Sequence, residues 1–186
     1  MKSLVRKAKI NASCIFGIFL CFLSVVTFAQ DSVDRKALER MLYGDLTRIE
    51  SFVVIYVLVQ GTDLWKADSE NEIGLSSAQM SDYLRLRYRN NFADIPYVEL
   101  TEGLFGSEEI NRTRGRLWCA VWTVGDSYPV AFHVECQIGT LHEPNVLRRA
   151  VLGYARKELA IEEIRKEIDS MLTEFAQVFF RVRGEI

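Results

Sequence analysis

Apolar positions along this chain change their spacing several times, and each change predicts an element. Leu38, Met41 and Leu42 recur at helical spacing within residues 33–43, which predicts a short amphipathic helix that Gly44 and Asp45 interrupt. Ser51–Gln60 (SFVVIYVLVQ) is rich in β-branched and aromatic residues and stops at Gly61-Thr62-Asp63. Strict alternation would place Phe52, Val54, Tyr56 and Leu58 on one side and Val53, Ile55, Val57 and Val59 on the other. Both sets are apolar, so this strand expects cover on both faces.

A helix is well announced at Ser76. Gln79 follows three residues later as in a capping box, and Leu75 and Met80 hold the two positions of a hydrophobic staple. It should run to about Asn90 and bury Met80, Leu84 and part of Tyr83 or Tyr88, with Arg85 and Arg89 on another, solvated face. Residues 95–100 (IPYVEL) suggest a short strand, and Pro96 argues for a sheet edge. Residues 101–116 form a long polar stretch without periodicity, read here as a loop, with a glycosylation sequon by pattern at Asn111-Arg112-Thr113. Leu117–Val124 and Val130–Ile138 flank Gly125-Asp126-Ser127-Tyr128-Pro129 and read as a β-hairpin. A further strand is expected at 146–156. From Glu158 to Arg181, Ile161, Ile164, Ile168, Met171, Phe175, Val178 and Val182 draw one apolar helical stripe, which Leu172 and Phe179 widen. The expected fold is α+β: a largely antiparallel sheet of four to five strands with two main helices on one face, plus the short N-terminal helix.

The first thirty residues follow a different logic. Lys2, Arg6, Lys7 and Lys9 precede an apolar run from Cys14 to Phe28, and Thr27-Phe28-Ala29 fits a signal peptidase site. The run is about 15 residues, against the ~20 of a bilayer-spanning helix. Residues 1–29 therefore read as an export signal, with an uncleaved anchor as the alternative, and residues 30–186 as one α+β domain in the periplasm or outside the cell. A lipoprotein is disfavoured because Cys14 and Cys21 lie before or within the run rather than after it. The signal holds four of the 23 basic residues and none of the 25 acidic ones, so cleavage moves the net charge from −2 to −6. Nucleic-acid binding gains nothing from that balance, despite the local cluster Arg112, Arg114 and Arg116.

Export also changes the reading of the cysteines. If the hairpin turn centres between Ser127 and Tyr128, Cys119 and Cys136 face each other within disulfide range, and an oxidising compartment favours the bond. The alternative is two buried free thiols. In the same register Cys119, Val121, Phe132, Val134, Cys136 and Ile138 share the face expected to meet the helices. The opposite face carries Trp118, Ala120 and Trp122 against Gln137, Glu135 and His133. Three occupants of that surface remain open: the N-terminal helix or the 101–116 segment folded over it, a dimer or protein-partner interface, and a small-molecule pocket on Trp118, Trp122, His133 and Glu135.

Catalytic signatures are weak. With only His133 and His142, a metal site of several histidines is nearly excluded, and no metal or cofactor is expected. Neither G-x-S-x-G nor a Gly-rich phosphate motif occurs. His133 with Glu135 is the one acid–base pair that shares a strand face, and no catalytic residue is assigned. The segments "GLSSAQMSDYLRLRYRNNFADIPYVEL" and "EEIRKEIDSMLTEFAQVFF", separated by a tryptophan-bearing hairpin, resemble a group of small exported bacterial proteins of unknown function. That resemblance spans roughly residues 48–183 and implies a compact α+β envelope domain without identifying a site. The expected role is a small exported binding or assembly module acting through a protein partner or homodimer, with a small-molecule binder or hydrolase as the alternative.

Overall fold

Ser51–Gln60 forms strand β1, and its neighbour sets the architecture. In the computed structural model, which describes residues 37–61, 71, 73–99, 108–125 and 129–186, β1 runs parallel to β2 (Arg114–Val124). Strand β3 (Val130–Thr140) pairs antiparallel with β2, and β4 (Leu147–Ala155) antiparallel with β3. The sheet is thus mixed, with four strands in the order β1-β2-β3-β4, and not largely antiparallel as expected. Helix α1 (Ser77–Asn91) lies in the connection between the parallel strands, a short helix α2 (Glu108–Thr113) leads into β2, and α3 (Lys157–Arg183) follows β4. These elements belong to the compact unit Leu42–Ile186. Residues 37–43 are helical and run into a 3₁₀ turn at Gly44–Arg48. Residues 1–29, read above as an export signal, with Cys14, Cys21 and the first part of the helix expected over 33–43, lie outside the described residues, as do residues 126–128 of the hairpin turn.

The apolar run of β1 is explained by its parallel partner and by a bulge. Phe52 pairs with Gly115 and Val54 with Arg116, so Val53 is an extra residue. The bulge resets the alternation: Phe52 joins Ile55, Val57 and Val59 in the helix-covered core, which corrects the two-sided reading of this strand. Residues 95–100 do not form a full strand. Tyr97 makes an isolated parallel bridge to Phe52, beside the edge of β1. The stretch 101–116 is not one loop either, since α2 occupies its middle and Arg114–Arg116 belong to β2.

Helix α1 begins where its cap chemistry predicts. Ser76 Oγ accepts the Gln79 amide at 3.2 Å, and the staple residues Leu75 and Met80 are both buried. Two serines then fasten it to β1. Ser81 Oγ accepts the Val57 amide at 2.9 Å, and Ser77 Oγ accepts the Val59 amide at 2.8 Å. Farther along, the Phe52 amide donates to Pro96 and the Val98 amide to the Phe52 carbonyl, so the outer edge of β1 is occupied.

Helix α3 packs its predicted stripe: Ile164, Ile168, Met171, Leu172, Phe175, Val178, Phe179 and Val182 are all buried. It ends at Gly184, whose φ of 78° is the left-handed conformation of a helix C-cap. Helices α1 and α3 are tied by Asp169, which accepts from the Tyr83 hydroxyl at 2.8 Å and from Arg87 Nε at 2.6 Å. Burial, the hydrogen bond to Asp169 and that carboxylate's charge together push the Tyr83 phenol up to about 12.

The hairpin keeps the predicted register from Gly115↔Thr140 to Val124↔Ala131, and Cys119 and Cys136 are directly opposed. They are joined by a disulfide with Cα atoms 4.0 Å apart, buried under the helices. Among the described residues no helix is long and apolar enough to cross a membrane.

Two measurements check this account. Replacing both cysteines by alanine should lower unfolding free energy by about 3 kcal/mol in denaturant titrations, the chain-entropy value for a bond closing a segment of this length. Tyr83 keeps its neutral phenol to higher pH in the folded protein, so its contribution is complete below pH ~10 and is lost as pH rises towards 12. Asp169→Asn should move that titration partway back, read as the ultraviolet difference from Tyr83→Phe.

Candidate functional site

The sheet face turned away from α1 and α3 is built in rows that cross all four strands. Tyr56, Trp118, Gln137 and Arg148 form one row. Leu58, Ala120, Glu135 and Ala150 form the next, and Gln60, Trp122, His133 and Leu152 the third. Beyond them Val124, Ala131 and Tyr154 complete the surface. The structure therefore brings Trp118, Trp122, His133 and Glu135 together on one face, as the hairpin register predicts.

Local packing sorts these residues into two kinds. Tyr56 stacks beside Trp118 with ring centroids 6.1 Å apart, and Trp122 lies against the His133 ring at 4.9 Å. Glu135, by contrast, is only 6% exposed, a carboxylate between apolar rows. Burial of a charge demands partners, and it has them on both oxygens. Gln137 Nε2 donates to Oε1, and Arg148 Nη2 reaches Oε2 at 2.5 Å. Trp118 Nε1 in turn donates to Gln137 Oε1 at 3.1 Å. A polar chain Trp118→Gln137→Glu135←Arg148 thus runs through the centre of the face.

This geometry decides what the candidate pair can do. Glu135 and His133 share the face, yet among the described residues no hydrogen bond joins them, and His133 is held by Trp122 instead. A general base must have a free lone pair within reach of the proton it takes. Each Glu135 oxygen accepts one hydrogen bond, one of them from the Arg148 cation, and that pairing makes the carboxylate a weaker base for as long as it is kept. The other histidine, His142, lies at the end of the sheet, 3.9 Å from Glu108. Among the described residues no group of three His, Cys, Asp or Glu side chains could hold a metal ion.

Coverage of the face is partly visible. Helix α2 sits at the end of the sheet where β2 begins, with the Asn111 carbonyl accepting from the His142 amide, and so does not cross the tryptophan rows. Residues 101–107 and 1–36 lie outside the described residues. On β4, Leu152 and Tyr154 are 77% and 75% exposed.

Clefts among the described residues lie elsewhere. One, of about 560 Å³, opens beside the start of β1, with Arg48, Glu50, Arg112 and Arg183 on its walls. Its arginines are matched within the protein, Arg48 by Asp45, Arg112 by Glu108 and Arg183 by Glu185. The second, about 280 Å³, lies between Tyr88, Arg89, Phe92 and Tyr97 at the end of α1. Of the two arginines noted on α1, Arg85 pairs with Asp82 at 3.0 Å and Arg89 lines this second cleft.

Sequence reasoning missed Tyr56 and Arg148 as members of the face. Tyr56 enters through the parallel pairing of β1 and β2, and Arg148 through the register of β4.

No family model matches this chain, and no curated protein matches it. Among solved structures, a chain described as an uncharacterized protein is similar at a TM-score of 0.26 and 16% identity, over 74% of this chain and 88% of that one. That likeness is too slight to establish a shared fold.

The Glu135 network is open to a double-mutant cycle. Arg148→Ala should destabilise by about 1–2 kcal/mol, less than a fully buried pair because the arginine is largely exposed. In a Glu135→Gln background the same change should cost little, since no buried charge is then left unpaired.

Proposed function

We propose that this protein is an exported binding or assembly module whose working surface is the sheet face opposite the helices, and that it engages a second copy of itself there. The carrying observation is the continuous run of Trp118, Trp122, Leu152 and Tyr154 on one face, with the last two three-quarters exposed. Leu152 and Tyr154, large and exposed on the face that also carries the half-buried Trp118 and Trp122, favour association over solvation. Aromatic anchors of this kind concentrate interface energy.

Two sheets packing face to face lie about 10 Å apart, which suits rows of alternating aromatic and small residues such as Trp118–Ala120–Trp122. A two-fold arrangement also uses the same patch on both partners. The disulfide and the N-terminal signal pattern support a setting outside the cytoplasm. The alternative, a small-molecule site or hydrolase on Trp118, Trp122, His133 and Glu135, would work with a carboxylate that its pairing with Arg148 makes a weaker base.

Light scattering of residues 30–186 should report a dimer mass at micromolar concentration. Leu152→Glu with Tyr154→Glu should shift it to the monomer while the circular dichroism spectrum stays unchanged, because both side chains are exposed. A monomeric wild type, or a double variant that still dimerises, would refute the reading.

A further inference from the structure

Arg114, Arg116 and Trp118 alternate along β2, so all three stand on the face away from the helices. An arginine is charged at every pH the fold survives, and the other arginines around this end of the sheet have found carboxylates. Arg112 pairs with Glu108 at 2.6 Å and Arg148 with Glu135 at 2.5 Å. Arg114 and Arg116 differ. Among the described residues neither has a carboxylate within ion-pair distance, although both are half-buried.

The mismatch extends to individual atoms. Arg114 Nη1 and Arg116 Nε are shielded from solvent, and among the described residues no hydrogen-bond acceptor reaches either. A shielded donor without an acceptor costs free energy, and two like charges on one strand face add repulsion. The Arg116 guanidinium lies over the Trp118 ring at 5.7 Å, which engages its flat surface but supplies no acceptor to its in-plane donors.

The wall beside them is main chain. Gly139 stands opposite Arg116, and a Cβ there would lie 2.3 Å from the Glu143 carbonyl oxygen and 2.6 Å from that of Pro144. That turn is held in place by the Thr140 amide donating to Glu143 O at 2.8 Å and the Glu143 amide donating to Thr140 Oγ1 at 2.8 Å.

We infer that Arg114 and Arg116, with Trp118 as a wall, form a binding site for an oxyanion, the carboxylate or phosphate group of a ligand. The in-plane N–H groups of two guanidiniums match the paired acceptor oxygens of such a group. Both side chains are half-buried rather than enclosed, and the site takes its anion when the guanidiniums turn their shielded donors outward. The site does not depend on the dimer, whose mass light scattering reports separately in the same buffers.

The test follows thermal unfolding and tryptophan fluorescence of the protein in sodium chloride, sodium phosphate and sodium citrate at matched ionic strength. The second protein is the Arg114→Gln, Arg116→Gln variant. A bound anion at tenfold excess over its dissociation constant should raise the wild-type midpoint by roughly 3–5 °C. It should also change the Trp118 emission, and the variant should show neither effect. In chloride alone the variant should melt at or above the wild type, since the uncompensated charges are gone. A response to phosphate alone assigns a phosphate ligand, and a response to citrate as well assigns the broader carboxylate class. Equal shifts in both proteins would mean general exclusion of these salts from the surface, and would overturn the site. A variant that melts well below the wild type in chloride would equally overturn it, by making the arginines structural.

Discussion

The pairing of β2 with β3 is the constraint on which the rest of the structure depends. It holds one register over the whole hairpin, from Gly115↔Thr140 to Val124↔Ala131, and the Cys119–Cys136 bond pins that register at its middle. A slip of one residue would turn one strand over relative to the other. With β2 held in place, Phe132, Val134 and Ile138 would leave the helices, and His133 and Glu135 would enter the core. The covalent link thus guards the distinction between the face that packs on the helices and the face that carries the tryptophans. Its position is central in space as well, since β1 adds to β2 on one side and β4 to β3 on the other.

How far these features can be read from sequence depends on their range. The faces of the hairpin were legible because two cysteines and one turn fix the register between them. The start of α1 was legible because Ser76, Gln79, Leu75 and Met80 act within one helical turn. The α3 stripe was legible for the same reason. The parallel neighbour of β1 was not assigned, although the continuous apolar run of Ser51–Gln60 is the composition of a strand covered on both sides. The bulge at Val53 hid the true phase of that strand, since an inserted residue leaves no mark in composition. Helix α2 was concealed within a polar stretch lacking periodicity. At the site, Trp118, Trp122, His133, Glu135 and Gln137 could be placed on one face, but Arg148, the charged partner of Glu135, could not. Arg148 arrives through the β3–β4 register, which no turn signal specifies as sharply.

The face itself combines two chemistries that pull in different directions. Its aromatic rows are apolar and favour contact with another surface, while a buried carboxylate runs through their centre. The chain Trp118→Gln137→Glu135←Arg148 reconciles them by satisfying each polar atom within the sheet. Such networks are all-or-none in their demands, because a single missing partner leaves a charge in a poor dielectric. That gives the tryptophan rows a fixed scaffold instead of a fluid apolar patch. Arg114 and Arg116 sit at one end of the same surface, and among the described residues neither has the carboxylate partner that Arg112 and Arg148 have.

The serines of α1 carry a consequence for stoichiometry. A sheet with two open edges is able to add strands at both, and head-to-tail addition of that kind has no natural stopping point. Here Ser77, Ser81, Pro96 and Val98 occupy the outer edge of β1. Strand-by-strand addition is therefore closed at β1, and among the described residues β4 forms the other edge of the sheet. The hydrogen bonds that seat α1 thus also deny β1 to a strand from another chain, a safeguard independent of whatever the tryptophan face contacts.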